Sequence, residues 1–137
     1  MAALDRFVEA QAGVWAQALA ELKAGRKTSH WMWFVFPQIA GLGRSETARF
    51  YAISDVTEAR AYLAHPLLGA RLREAAAALL AHRGRSAEAV LGGIDAIKLR
   101  SSMTLFEAVA PDEPVFAAVL DAFFSGQRDP ETVRRIG

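Results

Sequence analysis

The sequence predicts an all-α protein, a compact multihelical single domain spanning residues 1–137 and folded around a buried aromatic segment. Three observations carry that expectation. Apolar residues recur at intervals of three and four along most of the chain, the period of one helix face. Alanine-rich tracts such as Glu74-Ala-Ala-Ala-Ala-Leu79 favour helix, since alanine has the highest intrinsic helix propensity. Finally, Trp31 to Phe36 is an unbroken apolar run holding two of the chain's three tryptophans. Each aromatic side chain there has ~150–250 Å² of surface to remove from water. No surface element has room for such a run, so it must thread the core.

Composition narrows the class. A hydrophobic content of 53% with 23% charged residues describes a soluble globule, and 137 residues suffice for a sizeable core. The formal charge of +1 gives no footprint for a polyanion, so nucleic acid is not an expected partner. There is no cysteine, hence no disulfide, thiolate metal site or thiol nucleophile. The first residues lack a basic stretch followed by an apolar one, and no apolar run approaches the ~20 residues of a membrane span. A cytoplasmic protein without membrane contact is expected.

The first element is a helix over about 4–24, with Leu4, Phe7, Val8, Trp15, Leu19 and Leu22 on one side and Gly25 as its C-terminal cap. Arg26 to Ser29 then leads into the aromatic segment. Residues 31–36 read best as a short buried helix stopped by Pro37. A strand paired with Phe50 to Ser54 is the alternative that periodicity leaves open. A short helix follows over 44–51. Asp55 and Glu58 have capping-box spacing and start a helix to about Ala64. His65-Pro66 breaks that helix, and Pro66 at a first helical position starts the next, whose buried stripe is Leu68, Leu72, Ala75, Ala76 and Leu79. Ser86 caps a short helix to Leu91, and Gly92-Gly93 punctuates. After the helix over 94–109, Asp112 caps and Glu113-Pro114 opens another, carrying Phe116, Val119, Leu120, Phe123 and Phe124. Asp129-Pro130-Glu131 starts the last one.

The helix over 94–109 carries the chemistry. On a helical wheel, positions 94, 97, 98, 101, 102, 105, 106 and 109 share one face. Ile94, Ile97, Leu105, Phe106 and Val109 are apolar, yet Lys98, Ser101 and Ser102 lie among them. A buried, unpaired ammonium costs several kcal/mol, so it must pair or change protonation state. In one arrangement Asp95 holds Lys98 on an exposed rim and the serines bond back to their own helix. In the other, Lys98, Ser101 and Ser102 line a pocket and donate to an anionic or carbonyl-bearing ligand. Lys27 and His30 at the mouth of the aromatic segment, Gln38 at its exit and Trp33 as an indole wall can complete such a site. His30 would serve there as a group that titrates near neutral pH.

Other constellations are weaker. Lys98-x-x-Ser101 reverses the order found in Ser–Lys enzymes. Gly41-Leu-Gly43-Arg-Ser45 reads as a plain turn before it reads as a phosphate nest. His30, His65 and His82 are too scattered for a metal site, and no cofactor or catalytic residue is singled out.

Three blocks carry a family resemblance: K-T-S-H-W-M-W-F-V-F-P-Q (27–38), A-Y-L-A-H-P-L-L-G-A-R-L (61–72) and K-L-R-S-S-M-T-L-F (98–106). In this order they resemble the signature blocks of a bacterial family catalogued as domain of unknown function 1810, over nearly the whole chain. The resemblance implies a multihelical fold and no particular reaction. Its signature positions fall here on Lys27, Ser29, His30, Trp31, Trp33, Pro37 and Gln38, on His65, Pro66, Gly69 and Arg71, and on Lys98, Ser101, Ser102 and Phe106. The expected function is a small-molecule pocket of Lys27, His30, Trp33, Gln38, Lys98, Ser101 and Ser102 for a small anionic ligand. The alternative is a non-enzymatic structural or protein-interaction module whose polar cluster is a packing network.

Overall fold

The computed structural model describes residues 2–137. Among them the chain forms α1 (Ala2–Ala12), α2 (Trp15–Ala24), α3 (Met32–Val35), α4 (Glu46–Phe50) and α5 (Val56–Ala64). It continues through α6 (Leu68–Leu80), α7 (Ala87–Leu91), α8 (Gly93–Val109), α9 (Pro114–Phe124) and α10 (Pro130–Ile136). None of these helices is long and apolar enough to cross a membrane.

The aromatic segment is helical, as its stop at Pro37 suggests. Trp31, Met32, Val35 and Phe36 are each only 1% exposed. Residues 31–36 do not form the alternative strand; an isolated parallel bridge joins Ile39, beyond that segment, to Ile53. There the Ile53 N–H donates to the Gln38 carbonyl and the Ala40 N–H to the Ile53 carbonyl, both at 2.8 Å. A four-residue helix leaves carbonyls without partners in its own turns. Gln11 and Tyr62 supply them: Nε2 and Oη donate to the Phe34 carbonyl at 2.6 and 3.3 Å. Arg71 in turn donates to Gln11 Oε1 at 3.3 Å. Burial pushes the Tyr62 phenol well above its usual range, more than the Gln11 bond and the Arg71 charge pull it down. Aromatic contacts then run through the core from Phe7 to Tyr62 (5.1 Å, edge to face), Phe106 (5.5 Å) and Phe116 (6.0 Å).

Several expected elements stand where the sequence puts them. Asp55 caps α5 by accepting from the Glu58 N–H at 2.8 Å, and the stripe from Leu68 to Leu79 on α6 is buried. Gly69 is required there, because a Cβ would collide with the Leu63 carbonyl of α5.

Four expectations need correction. The single helix over 4–24 is two helices, broken at Gly13-Val14. Gly13 is a poor helix former, and the break lets α1 pack on α3 while α2 packs on α6. Pro66 does not open α6. The helix begins at Leu68, and in the turn ahead of it His65 Nδ1 accepts from the N–H groups of Leu67 and Leu68 at 3.1 and 3.2 Å. Asp112 does not cap α9; Glu113 precedes Pro114 and its carboxylate goes to Arg73 instead. That guanidinium holds the Glu113 carboxyl below the usual range.

The fourth correction is the core face of α8. Ile94 and Ile97 are 73% and 68% exposed, whereas residues 101–106 are buried on every side. The helix runs through the middle of the protein, against α5, α7, α9 and α10, so a one-face wheel describes neither its bare first turn nor its enclosed centre.

Candidate functional site

The site grows from a carboxylate that fixes the loop ahead of α3. Glu21, 8% exposed on α2, accepts from the Thr28 N–H (2.8 Å), the Ser29 N–H (3.1 Å) and the Ser29 hydroxyl (2.6 Å). It also accepts from Trp31 Nε1 at 2.9 Å and Gln17 Nε2 at 3.0 Å. Burial pushes its carboxyl up, but the donors from Ser29, Thr28, Trp31 and Gln17 outweigh that, and it is held well below the usual carboxylate range. Gly25 makes the turn into this loop in the left-handed region, at φ 73°. The Lys27 N–H ties its other side to the Val90 carbonyl at 2.9 Å. Trp31 is thereby driven into the core, while His30 is exposed and Lys27 turns toward the first turn of α8.

Opposite them stands the first turn of α8. Gly92, at φ 90°, lets α7 run almost directly into α8 and brings Asp95 to the loop. One carboxylate oxygen of Asp95 lies 2.7 Å from Lys27 Nζ and the other 3.5 Å from Lys98 Nζ. Each ammonium also lies over an indole, Lys27 at 5.1 Å from the Trp31 centroid and Lys98 at 4.7 Å from that of Trp33. The Lys27 side chain is only 8% exposed and that of Lys98 19%. Lys27, Trp33, Asp95 and Lys98, together with His30, Met32 and Ile94, line an open hollow of about 360 Å³. His30 is exposed at its mouth.

Four of the expected residues, Lys27, His30, Trp33 and Lys98, therefore meet at one hollow. The other three lie elsewhere. Gln38 lines a separate cavity of about 140 Å³ on another side of Trp33. The Ser101 hydroxyl is 3.3 Å from both the Ile97 carbonyl and Asp129 Oδ2, where it secures α10. Thr104 joins it, accepting from the Asp129 N–H at 2.9 Å. Ser102 Oγ is buried and has no hydrogen-bond partner among the described residues. The described residues hold no group of three or more His, Asp or Glu side chains able to bind a metal.

Two carboxylates escape a reading by periodicity. Glu21 looks like part of a solvent-facing stripe, and nothing in its spacing announces that the K-T-S-H-W loop will fold over it. Asp95 does have a signal, one turn before Lys98, but Lys27 as its closer partner is visible only in three dimensions.

The arrangement can hold charge. Two cations face one anion, and each ammonium carries three N–H donors of which Asp95 takes one. Beside them is an indole wall and an exposed imidazole.

Comparison with known proteins bears on the fold. A model of the proteins of unknown function DUF1810 matches residues 1–136. No curated protein matches the chain. Among solved structures the chain is similar to the conserved hypothetical protein Rv1873 from Mycobacterium tuberculosis, whose crystal structure was determined at 1.38 Å. The two are 48% identical over 97% of this chain and 95% of that one, with a TM-score of 0.95. The chain belongs to the DUF1810 family of proteins of unknown function.

Proposed function

We propose that the hollow between the K-T-S-H-W loop and the first turn of α8 binds a small ligand through an anionic or carbonyl-bearing group. The observation behind this reading is the sharing of one carboxylate by two ammoniums, 2.7 Å from Lys27 and 3.5 Å from Lys98. A lone ion pair would be neutral; this trio keeps one positive charge. Asp95 holds the pair loaded by bridging the two ammoniums much as a ligand's carboxylate or phosphate would. An arriving anion then either adds to the free N–H donors or displaces Asp95 from Lys98, the longer contact. The hollow's volume of about 360 Å³ falls within the ~300–1,000 Å³ common for small-molecule sites. Trp33 and Met32 supply apolar wall, and His30 is positioned to donate at the mouth.

Titration with inorganic phosphate and with acetate tests the reading, comparing wild type with Lys98→Met. Binding should weaken about tenfold or more, ~1.4 kcal/mol, while the unfolding free energy stays within about 1 kcal/mol. Equal binding by the two proteins, or none by either, contradicts it.

A second reading has its own support. Ser101 and Thr104 spend their hydroxyls on docking α10, which is how a packing network behaves. The exposed Ile94 and Ile97 beside the hollow suit a protein-interaction module. In that case Lys98→Met leaves every small anion unbound or unaffected, whereas charged substitution of Ile94 and Ile97 abolishes partner capture.

A further inference from the structure

We infer that the ligand is an anion joined to a flat ring, a phosphorylated or carboxylated heteroaromatic compound, with the anion on the lysines and the ring against Phe50 and Tyr51. This rests on the anion reading above and adds the second half of the molecule.

The observations lie on the far side of Trp33. A trough of about 540 Å³ opens there, lined by His30, Trp33, Phe34, Glu46, Phe50 and Tyr51. His30 and Trp33 line both this trough and the charged hollow, so the two adjoin across these side chains. The charged part is lysine-rich and the other is aromatic.

Phe50 is 59% exposed, an unusual state for a phenylalanine in a chain with a well-filled core. Looseness does not explain it. Arg6 donates to the Phe50 carbonyl and to the Ala52 carbonyl, each at 2.8 Å, and pins the backbone on both sides of Tyr51. The Phe50 ring stands edge to face on Tyr51 at 4.8 Å, and Tyr51 packs on Phe34 at 5.3 Å. The result is a fixed aromatic ledge at the surface, suited to a ring partner because π faces and edges attract in offset and perpendicular arrangements.

Charge sets the direction in which a ligand lies. Glu46 borders the aromatic part and repels an anion, while its carboxylate can accept from a ring N–H or an exocyclic amine. Lys27 and Lys98 lie at the other part and attract the anion. A free inorganic anion would leave the ledge bare, and an uncharged ring would leave the excess cation unanswered. A compound with both groups answers both.

The experiment measures the affinity of inorganic phosphate, phenyl phosphate, adenosine 5′-monophosphate and adenosine by calorimetry on the full chain. The ring phosphates should bind at least about tenfold tighter than phosphate, the range of aromatic stacking on a ring ligand. Adenosine alone should bind more weakly than its monophosphate. Phe50→Ala should remove the ring advantage and keep phosphate affinity within about twofold. Phe50→Leu, which retains bulk without a π face, takes its place should the alanine variant misfold. Phosphate binding with no gain from a ring, or a gain that survives both substitutions, overturns the inference and leaves the anion reading intact. No binding of any phosphate overturns both.

Discussion

Glu21 and Asp95 are both carboxylates that gather the loop ahead of α3, but they do opposite work. Glu21 is met by five donors, three of them from the loop itself and one from the Trp31 indole, so its lone pairs are filled by groups that cannot leave. Asp95 is met by two flexible ammoniums at 2.7 and 3.5 Å, on the wall of an open hollow. A carboxylate saturated by fixed donors is architecture. One held by mobile cations with donors to spare can exchange its place with another anion.

That contrast orders the expected effects of substitution. Glu21→Ala strips the Thr28 and Ser29 N–H groups and the Trp31 indole of their acceptor at once. It should cost roughly 3 kcal/mol, since the stranded, buried Trp31 donor alone costs about 1–3 kcal/mol and the two part-buried N–H groups add to it. Urea unfolding measures this directly. The same group gives a pH dependence with a definite sign. The folded Glu21 carboxyl lies below its unfolded value, so its stabilisation is full above about pH 4.3 and is lost as the pH falls toward the lower folded value. The stability gap between wild type and Glu21→Gln should therefore narrow on acidification below that point. A gap that stays constant would show that folding does not lower the Glu21 carboxyl.

Asp95→Asn should act on binding more than on the fold. Removing the built-in anion leaves both lysines for the ligand, and phosphate affinity should rise roughly tenfold, ~1.4 kcal/mol, by calorimetry. A fall would mean that Asp95 touches the ligand rather than competing with it. Smaller effects belong to the two serines of α8. Ser101→Ala loses its contact with Asp129 and should destabilise by about 1 kcal/mol in thermal unfolding. Ser102→Ala removes a buried hydroxyl without a partner and should be neutral or stabilising by less than about 1 kcal/mol. Reversed signs for the pair would undo the separation between docking contact and idle hydroxyl.

Much of the fold was legible because its signals are local. The cap at Asp55, the stop at Pro37 and the stripe on α6 each depend on residues within a turn or two. The break at Gly13 was harder to see, because it depends on α1 and α2 having different partners. The orientation of α8 failed for a related reason: Ile94 and Ile97 are as apolar as Leu105, and only neighbouring helices decide which is covered. In the site, Lys98 was marked by its place in an apolar stripe, Lys27 and His30 by theirs at the mouth of the aromatic run, and Trp33 by its place within that run. Glu21 and the Lys27–Asp95 pair had none, since a carboxylate's partners 7 or 68 residues away leave no trace in periodicity. Ser101 and Ser102 illustrate the converse, polar residues in the core whose role is packing or none.

The most direct test follows the three tryptophan indole N–H resonances while inorganic phosphate is added to the ¹⁵N-labelled protein. The Trp33 signal should move saturably in the wild type and stay still in Lys98→Met, with Trp15, which stacks on Arg71 instead, unmoved in both. A Trp33 signal that ignores phosphate, or that moves equally without Lys98, would contradict the account.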